Sequence, residues 1–131
     1  MLKRDSLTAQ MQQLSHVLAK VKRLILEDDE AEAMDVVKEV LSNFFGLDYE
    51  NLFTTTEESF EASIAKLKGE ELNMLASFVD EFAGLQDELD RQLLLYRRYL
   101  FLVDRMEGDF GFVSMEHLDR KRLLQEQLNR F

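Results

Sequence analysis

Proline is absent from all 131 residues, and the five glycines fall where segments of helical apolar spacing end. Because proline and glycine are the strongest interruptions of regular backbone, this punctuation favours helices separated by short turns. The first segment repeats apolar residues at alternating steps of four and three, namely Leu7, Met11, Leu14, Leu18, Val21 and Ile25. That period is typical of an amphipathic helix, so the sequence predicts an all-α protein.

We expect five to six helices in a single domain, arranged as antiparallel hairpins or as an irregular helical bundle. The number is five if the fourth and fifth helices are continuous through Gly84, and six if they are not. Residues 48–53 are expected to form a single turn. The predicted helices span approximately 6–26, 29–45, 56–68, 70–83, 87–107 and 115–130.

Short polar signals predict where three of these helices begin. Asp29 with Glu32 and Thr55 with Glu58 have the spacing of capping boxes, in which two side chains satisfy free backbone N–H groups. Ser114 precedes the last amphipathic segment and is expected to cap it.

Glycines predict where helices end. Gly46 is expected in the left-handed conformation after the second helix, and Leu47 then packs back onto Leu41 in a Schellman motif. Gly69 is expected to end the third helix.

The fifth helix, 87–107, carries apolar residues on nearly every face, so we expect it at the centre of the bundle.

Charge and composition exclude several classes of function. The net charge is −10, and the acidic residues are concentrated between residues 27 and 90, which disfavours nucleic acid as the main partner. The chain has no cysteine, so disulfides, thiolate metal sites and thiol nucleophiles are excluded. The start of the sequence lacks the apolar region of a secretory signal, and the most apolar stretch, 93–103, is shorter than the roughly 20 residues of a membrane span. We therefore expect a cytoplasmic protein without a transmembrane segment.

No motif in the sequence predicts catalysis. Asp109-Phe110-Gly111 matches the metal-binding tripeptide of protein kinases, but the glycine-rich loop, strand lysine and catalytic loop that accompany it are absent. The Glu-x-x-His motif of di-iron bundles does not occur, and His117 is expected to be an exposed polar residue. The sequence predicts no enzyme activity, no cofactor and no metal. Carboxylates distant in sequence remain an alternative source of acid–base chemistry, namely Glu57, Glu61, Asp80 and Glu81.

Lys20, Lys22 and Arg23 form a basic cluster near the end of the first helix. Such a cluster is a candidate contact for an acidic partner, a phosphate or an anionic lipid surface. Positive charge is also favoured at the end of a helix by the helix dipole, so a structural role is the alternative.

Arg91, Arg98 and Arg105 recur every seven residues and share one face of the fifth helix. This spacing makes them candidates to bind a carboxylate or a phosphate. The alternative is that their aliphatic stems cover the core while their guanidinium groups pair with acidic residues of the middle helices.

Several features occur together in one order along the chain: Lys3-Arg4-Asp5, a long helix with Met11 and Leu18, a Glu-rich hairpin leading into Ala33 and Leu41, Gly46-Leu47, and the passage from Leu67 to Leu75 with Gly69-Glu70. In these features, over residues 3–106, the chain resembles an uncharacterised family of small bacterial helical proteins with a tetratricopeptide-like fold. The resemblance implies helix hairpins. It implies no activity and no site residue.

These observations favour a non-enzymatic scaffold or adaptor that binds another protein or itself, with the concave side of its helix hairpins as the contact surface. A homodimer is one form of this hypothesis. One alternative is an enzyme or a protein that binds a small ligand, with its site between helices of the acidic middle and the arginines of the fifth helix. A second alternative is peripheral binding to anionic membranes through the first helix.

Overall fold

The structure, a computed structural model, describes the backbone of residues 2–130 and the side chains of residues 7–130. This part of the chain is all-helical and contains no strand, which confirms the predicted fold class. Residues 2–130 form seven helices: α1 (Leu2–Leu26), α2 (Glu30–Asn43), α3 (Asn51–Thr54), α4 (Glu57–Ser63), α5 (Gly69–Gly84), α6 (Leu89–Phe110) and α7 (Met115–Leu128).

Helix α5 lies at the centre of the bundle. It packs against α1 and α2 on one side and against α6 on the other. The prediction that the fifth predicted helix, now α6, occupies the centre is wrong. Small residues such as Ala76 and Ala83 are fully buried in α5 and let neighbouring helices approach it closely, whereas α6 carries arginines and presents Arg97 to solvent.

The segment predicted as one helix over 56–68 is shorter, because α4 ends at Ser63. Gly69 was expected to end a helix, but it begins α5. Its role is packing: a Cβ atom at Gly69 would lie 3.1 Å from the Cβ atom of Phe112. The missing side chain therefore makes room for the ring of Phe112 against the start of α5.

The predicted helix starts are correct in part. The Ser114 hydroxyl accepts a hydrogen bond from the backbone N–H of His117, as expected. The capping residue of α4 is Thr56 instead of Thr55, and it accepts from the N–H of Ser59. Asp29 precedes α2 but its side chain makes no capping hydrogen bond. The capping boxes predicted at Asp29 and Thr55 are therefore wrong.

The predicted end of the second helix is correct in part, since α2 ends at Asn43, two residues before the predicted end at 45. Gly46 has φ of +67°, its N–H donates to the carbonyl oxygen of Ser42, and the N–H of Leu47 donates to the carbonyl oxygen of Leu41 at 2.7 Å. A Schellman motif joins residues five and three apart, whereas these hydrogen bonds join residues six and four apart, so the predicted Schellman motif is wrong and only the left-handed conformation of Gly46 is confirmed. Leu41 and Leu47 are both buried.

Helices α5 and α6 are separate, since α5 ends at Gly84 and α6 begins at Leu89. At the end of α5, two glutamine side chains donate hydrogen bonds to free backbone carbonyl groups. The Nε2 atom of Gln86 donates to the carbonyl oxygen of Phe82, and the Nε2 atom of Gln92 donates to that of Ala83. Carbonyl groups at the end of α5 are therefore satisfied by side chains.

Candidate functional site

An open groove of about 420 Å³ lies between α1 and α2. Its apolar floor consists of Leu14, Val17, Val36, Val40 and Phe44. Polar side chains form both rims: Gln10, Gln13 and Lys20 on α1, and Glu39 and Asn43 on α2. This groove is an apolar strip between two polar edges, which is the shape that an amphipathic helix fits.

The three cations of the predicted basic cluster, Lys20, Lys22 and Arg23, do not form one surface. Lys20 lines the groove between α1 and α2. The Nζ atom of Lys22 lies 3.5 Å from a carboxylate oxygen of Glu116 and 4.0 Å from one of Glu81, so Lys22 connects α1 to α7 and α5. Arg23 lies 3.9 Å from Glu27, which follows the last residue of α1. Lys22 and Arg23 are thus engaged with carboxylates of the same chain.

Arg91, Arg98 and Arg105 form an arginine stripe along α6. Two of these three arginines pair with acidic residues. Arg91 lies 3.9 Å from carboxylate oxygens of both Glu50 and Glu88, and its guanidinium stacks over the ring of Phe53. Arg105 lies 3.1 Å from Glu61 and 3.6 Å from Asp109.

Arg98 differs from both of its stripe neighbours. Its Nη2 atom donates to the backbone carbonyl oxygen of Thr55 at 2.7 Å, and its guanidinium lies 5.2 Å from the centre of the Phe60 ring. Burial lowers the pKa of this guanidinium, and the charge of Glu57 opposes that effect. Arg98 therefore ties α6 to the turn before α4 through a neutral acceptor.

His117 was expected to be exposed, but only 4% of it is accessible to solvent. Its Nδ1 atom lies 2.7 Å from the Tyr99 hydroxyl oxygen. Its Nε2 atom lies 3.3 Å from the Asn73 carbonyl oxygen and 3.4 Å from the Ser77 hydroxyl. The signal in the sequence is the spacing of seven between His117 and the buried Leu124, which places both on one face of α7.

These partners assign the protonation of the ring by inference from the hydrogen bonds. A backbone carbonyl only accepts, so Nε2 of His117 carries the hydrogen and donates to Asn73. Nδ1 then accepts from the Tyr99 hydroxyl, which burial keeps protonated by raising the pKa of Tyr99 well above its ordinary value. Both nitrogens of His117 are hydrogen-bonded inside the fold, and the ring is buried away from solvent.

Further polar contacts hold α7 beside this histidine. Arg120 forms a bidentate pair with Asp80, with Nε–Oδ2 and Nη2–Oδ1 distances of 2.9 and 3.0 Å. Its Nη2 atom also donates to the Tyr96 hydroxyl at 3.3 Å, and Lys121 lies 2.6 Å from Asp104. Helix α7 is thus docked on α5 and α6 largely by polar side chains.

The four carboxylates considered for acid–base chemistry occupy different surroundings. Asp80 is held by Arg120, Glu81 faces Lys22, and Glu61 pairs with Arg105. Glu57 lines a groove beside α6. Within the described residues, no three His, Asp or Glu side chains are placed to share a metal ion. No helix in this part of the chain is both long and apolar enough to span a membrane.

Glu81 makes the stability of the fold depend on pH. Burial raises its pKa above 4.5, and the charge of Lys22 opposes this shift. A raised folded-state pKa means that the stabilising contribution is fully present below pH 4.5 and is lost as pH rises through the folded-state value. We therefore expect Glu81→Gln to gain stability relative to the wild type as pH increases from 4.5 toward 7.

Urea denaturation of both proteins across this pH range measures the difference. Glu126→Gln removes the same charge from an exposed position on α7 and serves as the control. A difference for Glu81→Gln that is constant with pH, or that falls as pH rises, would contradict the prediction.

Comparison of the chain with protein-family models, with curated proteins and with solved structures found no match. The resemblance to the bacterial tetratricopeptide-like family stays a prediction. The function is therefore inferred from the geometry of the chain itself.

Proposed function

We propose that this protein is a non-enzymatic interaction module whose α1–α2 groove holds an amphipathic helix of another protein. The observation that carries the proposal is the apolar floor of the groove between its two polar rims. On α1 the groove extends from Gln10 to Lys20, which is about 15 Å at 1.5 Å per residue, so about three turns of a partner helix fit along it.

The charges on α2 indicate which charges the partner helix carries. Helix α2 carries Glu30, Glu32, Asp35 and Glu39 against a single cation, Lys38. Opposite charges across an interface guide association and fix the orientation of the partners. We therefore propose a helix with basic residues along the flank that faces α2. The net charge of −10 favours such a partner over a second copy of this chain, because two copies repel each other.

The contacts of two polar side chains within the fold support a non-catalytic role. His117 uses both ring nitrogens within the fold, and the carboxylate of Asp80 is held by Arg120. The proposal also includes a cytoplasmic location, since a chain without cysteine suits a reducing compartment. A tetratricopeptide-like arrangement of the α1–α2 hairpin is part of the same proposal.

A charge on the floor of the groove should weaken binding of the partner helix. We expect Val40→Glu to weaken partner binding by about tenfold or more, because a carboxylate loses its hydration when a helix covers it. The measurement is photo-crosslinking in cells from a benzophenone amino acid at Val36. The crosslinked segment should be an amphipathic helix with basic residues on one flank.

Two controls make this test specific. The same photoreactive residue at Glu126, on the exposed face of α7, should not give the product. Glu39→Lys reverses a rim charge without touching the floor and should also weaken crosslinking, which separates binding from misfolding. A crosslinked product that contains two copies of this chain would show that the groove forms a homodimer and does not bind a helix of another protein. Equal crosslinking by the wild type and Val40→Glu would reject the groove as the interface.

A further inference from the structure

Arg98 is a buried cation without a counter-ion among residues 7–130. Only 8% of it is accessible to solvent, and no carboxylate of the described residues lies within 4.0 Å of it. Its Nε atom is buried and has no hydrogen-bond partner in this part of the chain. Removing a charge from water is costly unless an opposite charge or hydrogen bonds replace the lost hydration. Arg91 and Arg105 meet this requirement with carboxylates, whereas Arg98 has only the carbonyl oxygen of Thr55 and the ring of Phe60 among the described residues.

Arg98 lines an open groove of about 540 Å³ beside α6. Leu94, Leu100 and Phe101 give the groove apolar walls, and Arg97 adds a second cation. This surface belongs to α4 and α6 and is separate from the α1–α2 groove. It combines one desolvated guanidinium with enough apolar surface to cover a short hydrocarbon chain.

We propose that this groove binds a small carboxylic acid with an apolar body, whose carboxylate neutralises Arg98 and whose hydrocarbon part packs on Leu94 and Phe101. A guanidinium matches a carboxylate in shape and charge, and Nη2 is already committed to Thr55, which leaves Nη1 to donate to the ligand. The inference goes beyond the proposed protein-binding function because it concerns a different surface and a different class of ligand.

The surroundings of the groove select for a single negative charge. Glu57 and Asp104 both line it, and each repels an anion. A ligand with two or more charges, such as a phosphate monoester, meets more of this repulsion than a monocarboxylate does. The groove follows α6 from Leu94 to Asp104, about 15 Å at 1.5 Å per residue, which accommodates a chain of eight carbons.

Octanoate is the probe, and its neutral analogue octanamide is the matched ligand control. Titration of the full chain is followed by the shifts of backbone amide signals in two-dimensional NMR. We expect octanoate to shift signals of residues 94–104 and of the turn at Thr55, and to bind about tenfold or more tightly than octanamide. Equal binding of the two ligands would overturn the proposal, as would the absence of shifts up to about 10 mM octanoate.

Variants of the arginine stripe identify the cation that binds octanoate. Arg98→Gln should reduce octanoate affinity by about tenfold or more, because the charge and the guanidinium are both lost. Arg105→Gln removes a cation of the same stripe that is already paired with Glu61, and it should leave octanoate affinity unchanged. Unchanged affinity of Arg98→Gln would overturn the assignment. If that variant does not fold, the comparison of octanoate with octanamide on the wild type decides the question.

Discussion

Replacing Phe82 with alanine is expected to lower the free energy of unfolding by about 3–5 kcal/mol, the range for deleting a buried aromatic side chain. Only 1% of Phe82 is accessible to solvent. Its ring packs edge-on against Tyr49, with centroids 6.3 Å apart, and lies 6.1 Å from the ring of Phe53. The substitution removes the centre of this aromatic cluster, so it weakens the attachment of α3 to the central helix as well as the core of α5.

Urea denaturation followed by circular dichroism measures the loss. Phe110→Ala is the matched control, because the same atoms are deleted from a side chain that is 43% exposed. We expect the control to cost less than about 1 kcal/mol, as surface substitutions commonly do. Similar losses for the two variants would mean that α5 is not the central helix of the bundle.

Much of the fold was predictable because helical spacing and helix-ending signals are local in sequence. The left-handed turn at Gly46 closes its hydrogen bonds within residues 41–47, and the Ser114 cap lies within residues 114–117. The position of α5 depends instead on contacts between distant segments. A helix that is apolar on every side was expected at the centre, whereas the structure places there the helix with small residues at its contacts.

Gly69 shows why local rules failed at one position. A glycine after an apolar segment is typical of a helix end, but Gly69 lies where a Cβ atom would come within 3.1 Å of Phe112, which lies 43 positions further along the chain. No spacing rule connects two residues so far apart. The error moved a helix boundary and changed the predicted length of the third helix.

The candidate sites were predictable to a similar extent. The period of seven correctly placed Arg91, Arg98 and Arg105 on related faces of α6. It did not distinguish paired arginines from an unpaired one, because the partners Glu50, Thr55 and Glu61 come from other elements. His117 was misjudged for the same reason, since its partners Asn73 and Tyr99 belong to α5 and α6.

Replacing Tyr99 with phenylalanine is expected to cost about 1–3 kcal/mol of stability, because Nδ1 of His117 is then buried without a donor. Tyr99 is completely buried, and its hydroxyl lies 2.7 Å from that nitrogen. Tyr96→Phe is the matched control. The Tyr96 hydroxyl is part-buried and accepts a longer hydrogen bond, 3.3 Å, from Arg120, which keeps its pair with Asp80. We expect this control to cost about 0.5–1.5 kcal/mol at most.

The double variant Tyr99→Phe with His117→Leu separates an unsatisfied polar atom from a lost packing contact. Replacing both partners with apolar groups removes the orphaned nitrogen, so part of the loss should be recovered relative to Tyr99→Phe alone. The Asn73 carbonyl oxygen remains satisfied, because it still accepts from the Ser77 hydroxyl at 3.1 Å. Equal costs for Tyr99→Phe and Tyr96→Phe would show that the His117 contact does not anchor α7. Faster hydrogen exchange in α7 than in α5 of Tyr99→Phe would locate the weakened attachment in the last helix, because local opening exposes its amides first.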